Sequence, residues 1–164
     1  MDKILRLKVD DLVVRNGKVL KVFKVSQNTV SLRPFFHSRA NNSLTFTLNL
    51  NQDNNGHIRK LISKTKLKQL LSQIINKTVS GDCCPAYNAA SALNNNQLKN
   101  TLWTIKTLWL EKQEKSDILP GGKLTTFRQA MLQATEEIAA INHTSPDQAK
   151  LLLLSGLKSS LPTN

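Results

Sequence analysis

The residues able to do chemistry in this chain are few and scattered. His37, His57 and His143 stand on separate polar loops, with no spacing among them that suits a metal ion or an acid–base pair. Exposed loop positions account for all three. Glu136-Glu137 would need a histidine on the same helical face to begin a metal motif, and none is near. Pro120-Gly121-Gly122-Lys123 holds a Gly-Gly-Lys but lacks the preceding glycine and strand of a phosphate-binding loop. It reads as the turn of a helical hairpin. Vicinal Cys83-Cys84 admits a redox or metal pair, but small residues in a connector is the reading preferred. No catalytic residue, metal site or cofactor is expected, and the chain reads as a non-enzyme.

What the chain does have is charge. Its formal net charge is +12, and residues 1–80 hold 15 Lys/Arg against 4 Asp/Glu while residues 81–164 hold 8 against 7. Such a field attracts a phosphate backbone or an acidic protein surface. The densest group is Arg59, Lys60, Lys64, Lys66 and Lys68, with no acid from residue 54 through 81. An ordinary solvated face is the plain alternative. Trp103 and Trp109 could stack on bases. Trp109 shares a helical stripe with Leu102 and Ile105, however, and is read as core. Trp103 lies off that stripe.

The elements that must position these residues divide the chain in two. Ile4 to Val14, Val19 to Val25, Thr29 to Phe36 and Leu44 to Leu50 alternate with the period of half-buried strands. Asn16-Gly17 marks a tight hairpin between the first two, and Pro34 stops or bends the third. After the Asn54-Asn55-Gly56 turn, Ile58, Leu61 and Ile62 make a short last strand. From Ser63 the spacing turns helical, with Leu67, Leu70, Leu71, Ile74 and Ile75 on one stripe. Tyr87 to Leu93 reads as one or two helical turns. A long helix follows, carrying Leu98, Leu102, Ile105 and Trp109 and ending near Asp117. Thr125 or Thr126 is the expected cap of the next, with Phe127, Met131, Ala134, Ile138 and Ile141 inward. Ser145, Pro146 and Gln148 open the last helix as a capping box, and Leu151 to Leu154 with Leu157 pack it down.

The expected fold is therefore α+β: a small antiparallel β barrel over residues 1–62, an all-α bundle over 63–158 and a loose tail over 159–164. No apolar run approaches the roughly 20 residues that span a bilayer, and no secretory leader is evident at Met1-Asp2-Lys3-Ile4. A cytoplasmic monomer with no membrane partner is expected.

The order of these motifs resembles the CarD/CdnL-type bacterial transcription regulators over nearly the whole chain. Leu7-Lys8-Val9-Asp10-Asp11-Leu12-Val13-Val14 is similar to the family's opening F-K-V-G-D-x-V-V. Ser31-Leu32-Arg33-Pro34 and Leu44-Thr45-Phe46-Thr47-Leu48 resemble its central strands. Gly56 to Lys64 resembles its G-x-R-x-x-I-S-K joint, and Leu98 to Leu110 and Leu124 to Ile138 resemble its later helices.

The resemblance implies a Tudor/SH3-like β domain that docks on the RNA polymerase β subunit, followed by a helical domain that lies against promoter DNA. There a tryptophan wedges into the minor groove and stabilises the open complex. The polymerase contact carries over to Lys24, Arg33, Thr45 and Thr47. The positive charge, however, sits mainly in the β half and not in the helices that touch DNA in the family. The expected phosphate contacts therefore come from the charge pattern itself: Arg59, Lys60, Lys64, Lys66 and Lys68, with Lys99, Lys123 and Arg128 helping. Aligned on Tyr87, the wedge position is Cys83, and Pro85-Ala86 replace paired arginines. The motif glycine is Asp10, and a frequent strand arginine is Thr47. Two alternatives stay open. One is a polymerase-binding module that does not engage DNA, such as a relative of the β domain of transcription-repair coupling factors. The other is a general basic nucleic-acid-binding protein.

Overall fold

The Asn-Gly hairpin forms where the sequence places it. Asn16 and Gly17 both have positive φ, 49° and 74°, which matches a two-residue turn to the right-handed twist of its strands. It joins β1 (Leu12–Arg15) to β2 (Lys18–Val25), with Arg15 opposite Lys18. β3 (Thr29–Pro34), β4 (Phe46–Asn49) and β5 (Ile58–Lys60) complete an antiparallel sheet in the order β4-β3-β2-β1-β5. The sheet curls into a half-barrel, and among the described residues four helices follow it in the chain. The structure, a computed structural model, describes residues 7–36, 43–49, 58–76, 93, 96–115 and 118–159. The expectations for residues 1–6, for the loops holding His37 and His57, for the connector with Cys83, Cys84 and Tyr87, and for the tail 160–164 lie outside them.

A register shift between Val22 and Lys24 makes Phe23 an extra residue on β2. Such a bulge bends its strand and raises the local twist. Inside the curl pack Leu7, Val13, Leu20, Val22, Val30 and Leu32. The strands are shorter than the alternation suggests. β1 begins at Leu12 rather than Ile4, because Asp10 takes a left-handed φ of 73° that interrupts extended backbone. β5 ends at Lys60, and Leu61 and Ile62 turn onto the helical core instead.

The helices are α1 (Lys64–Asn76), α2 (Leu98–Glu114), α3 (Gly121–Asn142) and α4 (Pro146–Ser159). Ser63 caps α1, its Oγ accepting from the Lys66 backbone N–H at 3.2 Å. Ser145 and Gln148 form the reciprocal box, each accepting the other's backbone N–H at 3.2 Å. Thr125 and Thr126 do not cap α3. The helix starts four residues earlier, and their hydroxyls donate back to the Gly121 and Gly122 carbonyls at 3.0 Å. Pro120 supplies the entry, while Glu111 of α2 holds Lys123 in the first turn at 2.7 Å. This exposed pair offsets part of the weak helix propensity of two glycines.

Leu67, Leu70, Ile74, Leu102, Ile105, Trp109, Ala134, Ile138 and Leu153 share one helical core. Trp109 lies in it, stacked on Phe127 with centroids 6.4 Å apart. The run Leu151–Leu154 does not face inward as a block. Leu153 is buried, but Leu151 and Leu152 are 69% and 49% exposed, because successive helical residues point about 100° apart. A third cluster joins the two halves. Val14, Val19 and Ala140 are buried together, with Leu12, Phe35, Phe36 and Leu61 around them. Val13 faces the curl while Val14 faces α3, as the two-residue period requires.

Candidate functional site

Four residues with an expected polymerase contact lie on the outside of the curled sheet. Lys24 pairs with Ser31, and Ser31 with Thr47, in one cross-strand row. Arg33 lies two residues along β3, opposite Lys21. Thr45 just precedes β4, two residues from Thr47. Val30, Leu32 and Leu48 pack inward, so alternation turns Arg33, Thr45 and Thr47 outward, and Lys24, Arg33, Thr45 and Thr47 are all exposed. Phe23, 38% exposed on the bulge, sits 5.9 Å beneath the Arg33 guanidinium. This is a cation–π contact that leaves a planar charge over an apolar ring.

The expected DNA-contacting residues separate into three groups. Arg59 turns inward: its two terminal nitrogens donate to both carboxylate oxygens of Glu137 at 2.6 Å. Its Nε donates to the Asn96 carbonyl. Glu137 is only 3% exposed, so this forked, charge-assisted pair is a tie between β5 and α3. Lys60 and Lys123 form the second group. They pair with Asp11 at 2.9 Å and with Glu111 at 2.7 Å, and Lys115 also holds Glu111 at 2.8 Å. Lys60 lowers the pKa of Asp11, and Lys115 with Lys123 lowers that of Glu111. Both pairs are partly exposed. Pairs of this kind contribute up to about 1 kcal/mol, so either lysine can exchange its partner for a phosphate at small cost.

The third group is exposed and makes no ion pair among the described residues: Lys64, Lys66 and Lys68 on α1, Lys99 on α2 and Arg128 on α3. Lys64 and Lys68 are one turn apart on the same flank of the Leu67–Leu70–Ile74 stripe. Lys66 falls on the opposite flank. The first turn of α1 carries no acid, so its N-terminal dipole adds to this positive field. Cys83 and Tyr87 lie outside the described residues.

Sequence reading missed the residues that make the joint. Asn96 donates its side-chain amide to the Val14 carbonyl and accepts the Gly17 N–H, both at 3.0 Å and buried. Within the run Asn94-Asn95-Asn96 it looks like an ordinary loop residue. A signal for Glu137 is present, since Ala130, Ala134, Glu137 and Ile141 recur at helical spacing. A carboxylate on an apolar stripe requires a buried cation. Lys106 lies likewise between Leu102 and Trp109. It is buried and donates to the Ile74 carbonyl near the end of α1, and burial pushes its pKa down.

Glu136 supplies a pH test of the same joint. Burial raises its pKa, partly opposed by the Val19 backbone N–H and by Lys18. A raised folded-state pKa contributes stability present below the ordinary glutamate value and lost as pH rises through the folded value. The Glu136 contribution to stability should therefore rise as pH falls from neutral toward that ordinary value. In Glu136→Gln, urea midpoints should show a flatter profile over the same window.

Among the described residues no helix is long and apolar enough to cross a membrane. No group of three or more His, Cys, Asp or Glu among them could hold a metal ion. No family model matches the chain, and no curated protein matches its sequence.

Proposed function

We propose that this protein is a transcription regulator of the CarD/CdnL type, binding the RNA polymerase β subunit through its sheet and promoter DNA through its helical half. The curled sheet is then a Tudor/SH3-like barrel, and the helices a bundle held beside it. The observation that carries the reading is the gathering of Lys24, Arg33, Thr45 and Thr47 on one exposed sheet face, with Arg33 over Phe23. A second supports it. Asp10, at the glycine of the resembled opening motif, has the left-handed φ that glycine accepts most readily.

In this reading the exposed lysines at the start of α1, on both flanks of its apolar stripe, meet phosphates at the edge of the melted region. Binding the open complex better than the closed one by about 1.4 kcal/mol shifts their ratio about tenfold. Lys64, Lys66 and Lys68 carry the DNA contact, with Lys99 and Arg128 contributing, while Arg59 serves the fold.

The test is co-purification of the full chain with core polymerase, beside open-complex lifetimes over a salt series. Lys24→Glu with Arg33→Glu should abolish co-purification and leave the thermal midpoint nearly unchanged. Retention at wild-type level would remove the polymerase contact. Lys64→Glu, Lys66→Glu and Lys68→Glu together should shorten the open-complex lifetime and flatten its salt dependence. Each phosphate that the protein ceases to neutralise lowers the log–log slope by about 0.9. An unchanged slope favours the second reading, a polymerase-binding module that does not engage DNA. That reading draws on Cys83 at the wedge position and on the internal pairing of Arg59, Lys60 and Lys123.

A further inference from the structure

We propose that Asn16 is a conditional deamidation site, labile by its sequence and kept inert while the β1–β2 hairpin stays docked on Asn96. In an Asn-Gly pair the glycine nitrogen meets little steric hindrance in attacking the asparagine side chain, because glycine has no Cβ. The Gly17 backbone nitrogen gives up its proton and bonds to Asn16 Cγ. The Cγ–Nδ2 bond breaks, and ammonia leaves. Water then opens the resulting succinimide at either carbonyl, giving aspartate or isoaspartate. The balance is one water in and one ammonia out, with one negative charge gained.

Asn16 itself is exposed, so water and base reach its side chain. The nucleophile is what the fold controls. Gly17 is buried, and its N–H is donated to Asn96 Oδ1 at 3.0 Å. Asn96 is in turn fixed by its own donation to Val14 and by Arg59 at its carbonyl. On the other side, the Gln133 side chain lies so close that even a Cβ on Gly17 would meet it at 2.2 Å. For the Gly17 nitrogen to lose its proton and swing to Asn16 Cγ, the hairpin must leave both Asn96 and Gln133. Deamidation is thus confined to the undocked fraction, as hydrogen exchange is confined to open states. The product makes that opening permanent, since isoaspartate inserts a backbone methylene into a two-residue turn whose geometry aims Gly17 at Asn96.

The experiment follows Asn16 in the full chain by peptide mapping over days in mildly alkaline buffer, reading the one-dalton gain and separating the isoaspartyl form chromatographically. A synthetic peptide of residues 12–21 gives the unprotected rate. Native wild type should convert at least about tenfold more slowly than the peptide, and urea should restore the peptide rate. Asn96→Ala should accelerate conversion in native buffer, and Asn96→Asp, which keeps the acceptor for Gly17 but loses the donation to Val14, should do so too. Conversion of native wild type at the peptide rate would overturn the proposal. So would a folded Asn96→Ala that converts no faster than wild type. If Asn96→Ala fails to fold, the comparison of native with urea-treated wild type and with the peptide decides it.

Discussion

Glu137→Ala should destabilise the protein by about 3–5 kcal/mol, the usual cost of stripping one partner from a buried ion pair. Arg59 and Glu137 side chains are 25% and 3% exposed, and both terminal guanidinium nitrogens lie 2.6 Å from carboxylate oxygens. Removing the acid leaves a guanidinium partly enclosed between β5 and α3, able to regain little water. Domains of ordinary size are stable by about 5–15 kcal/mol, so the variant should sit near its unfolding midpoint at warm temperatures. Urea titration reads the loss. Two companions separate causes. Arg59→Met with Glu137→Leu should recover most of it, because no charge is left stranded. Arg59→Lys keeps the charge but removes the fork, so it should cost stability while leaving any salt slope of DNA binding unaltered. If Arg59→Lys instead spared stability and weakened DNA binding, Arg59 would belong to the binding surface and not to the joint.

Gly17→Ala ranks next, at about 1–3 kcal/mol. One part is backbone: a left-handed φ costs a residue with a Cβ about 1–2 kcal/mol. Gly17 has φ 74°. The other part is crowding, held to about 1 kcal/mol or less because the atoms in the way belong to the flexible Gln133 side chain, which can swing aside. A Cβ there would meet Gln133 side-chain atoms at 2.2, 2.4 and 2.5 Å. Gln133→Ala in the same chain should relieve the second part and not the first. The measurement is a double-mutant cycle on urea midpoints. A cycle with no coupling would mean that the Gln133 side chain swings clear of the added methyl without cost.

In the proposed function these two contacts act only indirectly, through orientation. Were the sheet to hold polymerase and α1 to face DNA, the angle between them would be set by the Asn96–Arg59–Glu137 network and by the Val14–Val19–Ala140 contact. Variants that loosen the joint should then shorten open-complex lifetime more than they weaken polymerase binding.

Much of the architecture is legible in the sequence because it rests on short-range rules. Alternation tells Val13 from Val14, Asn16-Gly17 announces its turn, and Ser63, Ser145 and Gln148 announce helix starts. Each is decided by the chemistry of residues within a few positions of one another. Where neighbours disagree with distant partners, the reading fails. Gly121 and Gly122 look like a breaker but enter α3, whose first turn Glu111 holds by Lys123. Leu151 and Leu152 look like core, yet the angular step of a helix leaves them outside. Arg59 carries the largest consequence. In one dimension it is indistinguishable from Lys60, Lys64, Lys66 and Lys68. Its partner lies 78 positions away, and Asn96 lies 37 away.

From its residues alone the chain determined that strands precede helices, where most turns and caps fall, and that the positive charge is concentrated toward the N-terminal half. Local torsional preference and apolar periodicity act between neighbours, so they can be read in order along a string. Only the tertiary structure decided which cations are held inside the protein and which remain exposed. A charge pair depends on distance in space, and folding brings together groups that the sequence holds far apart.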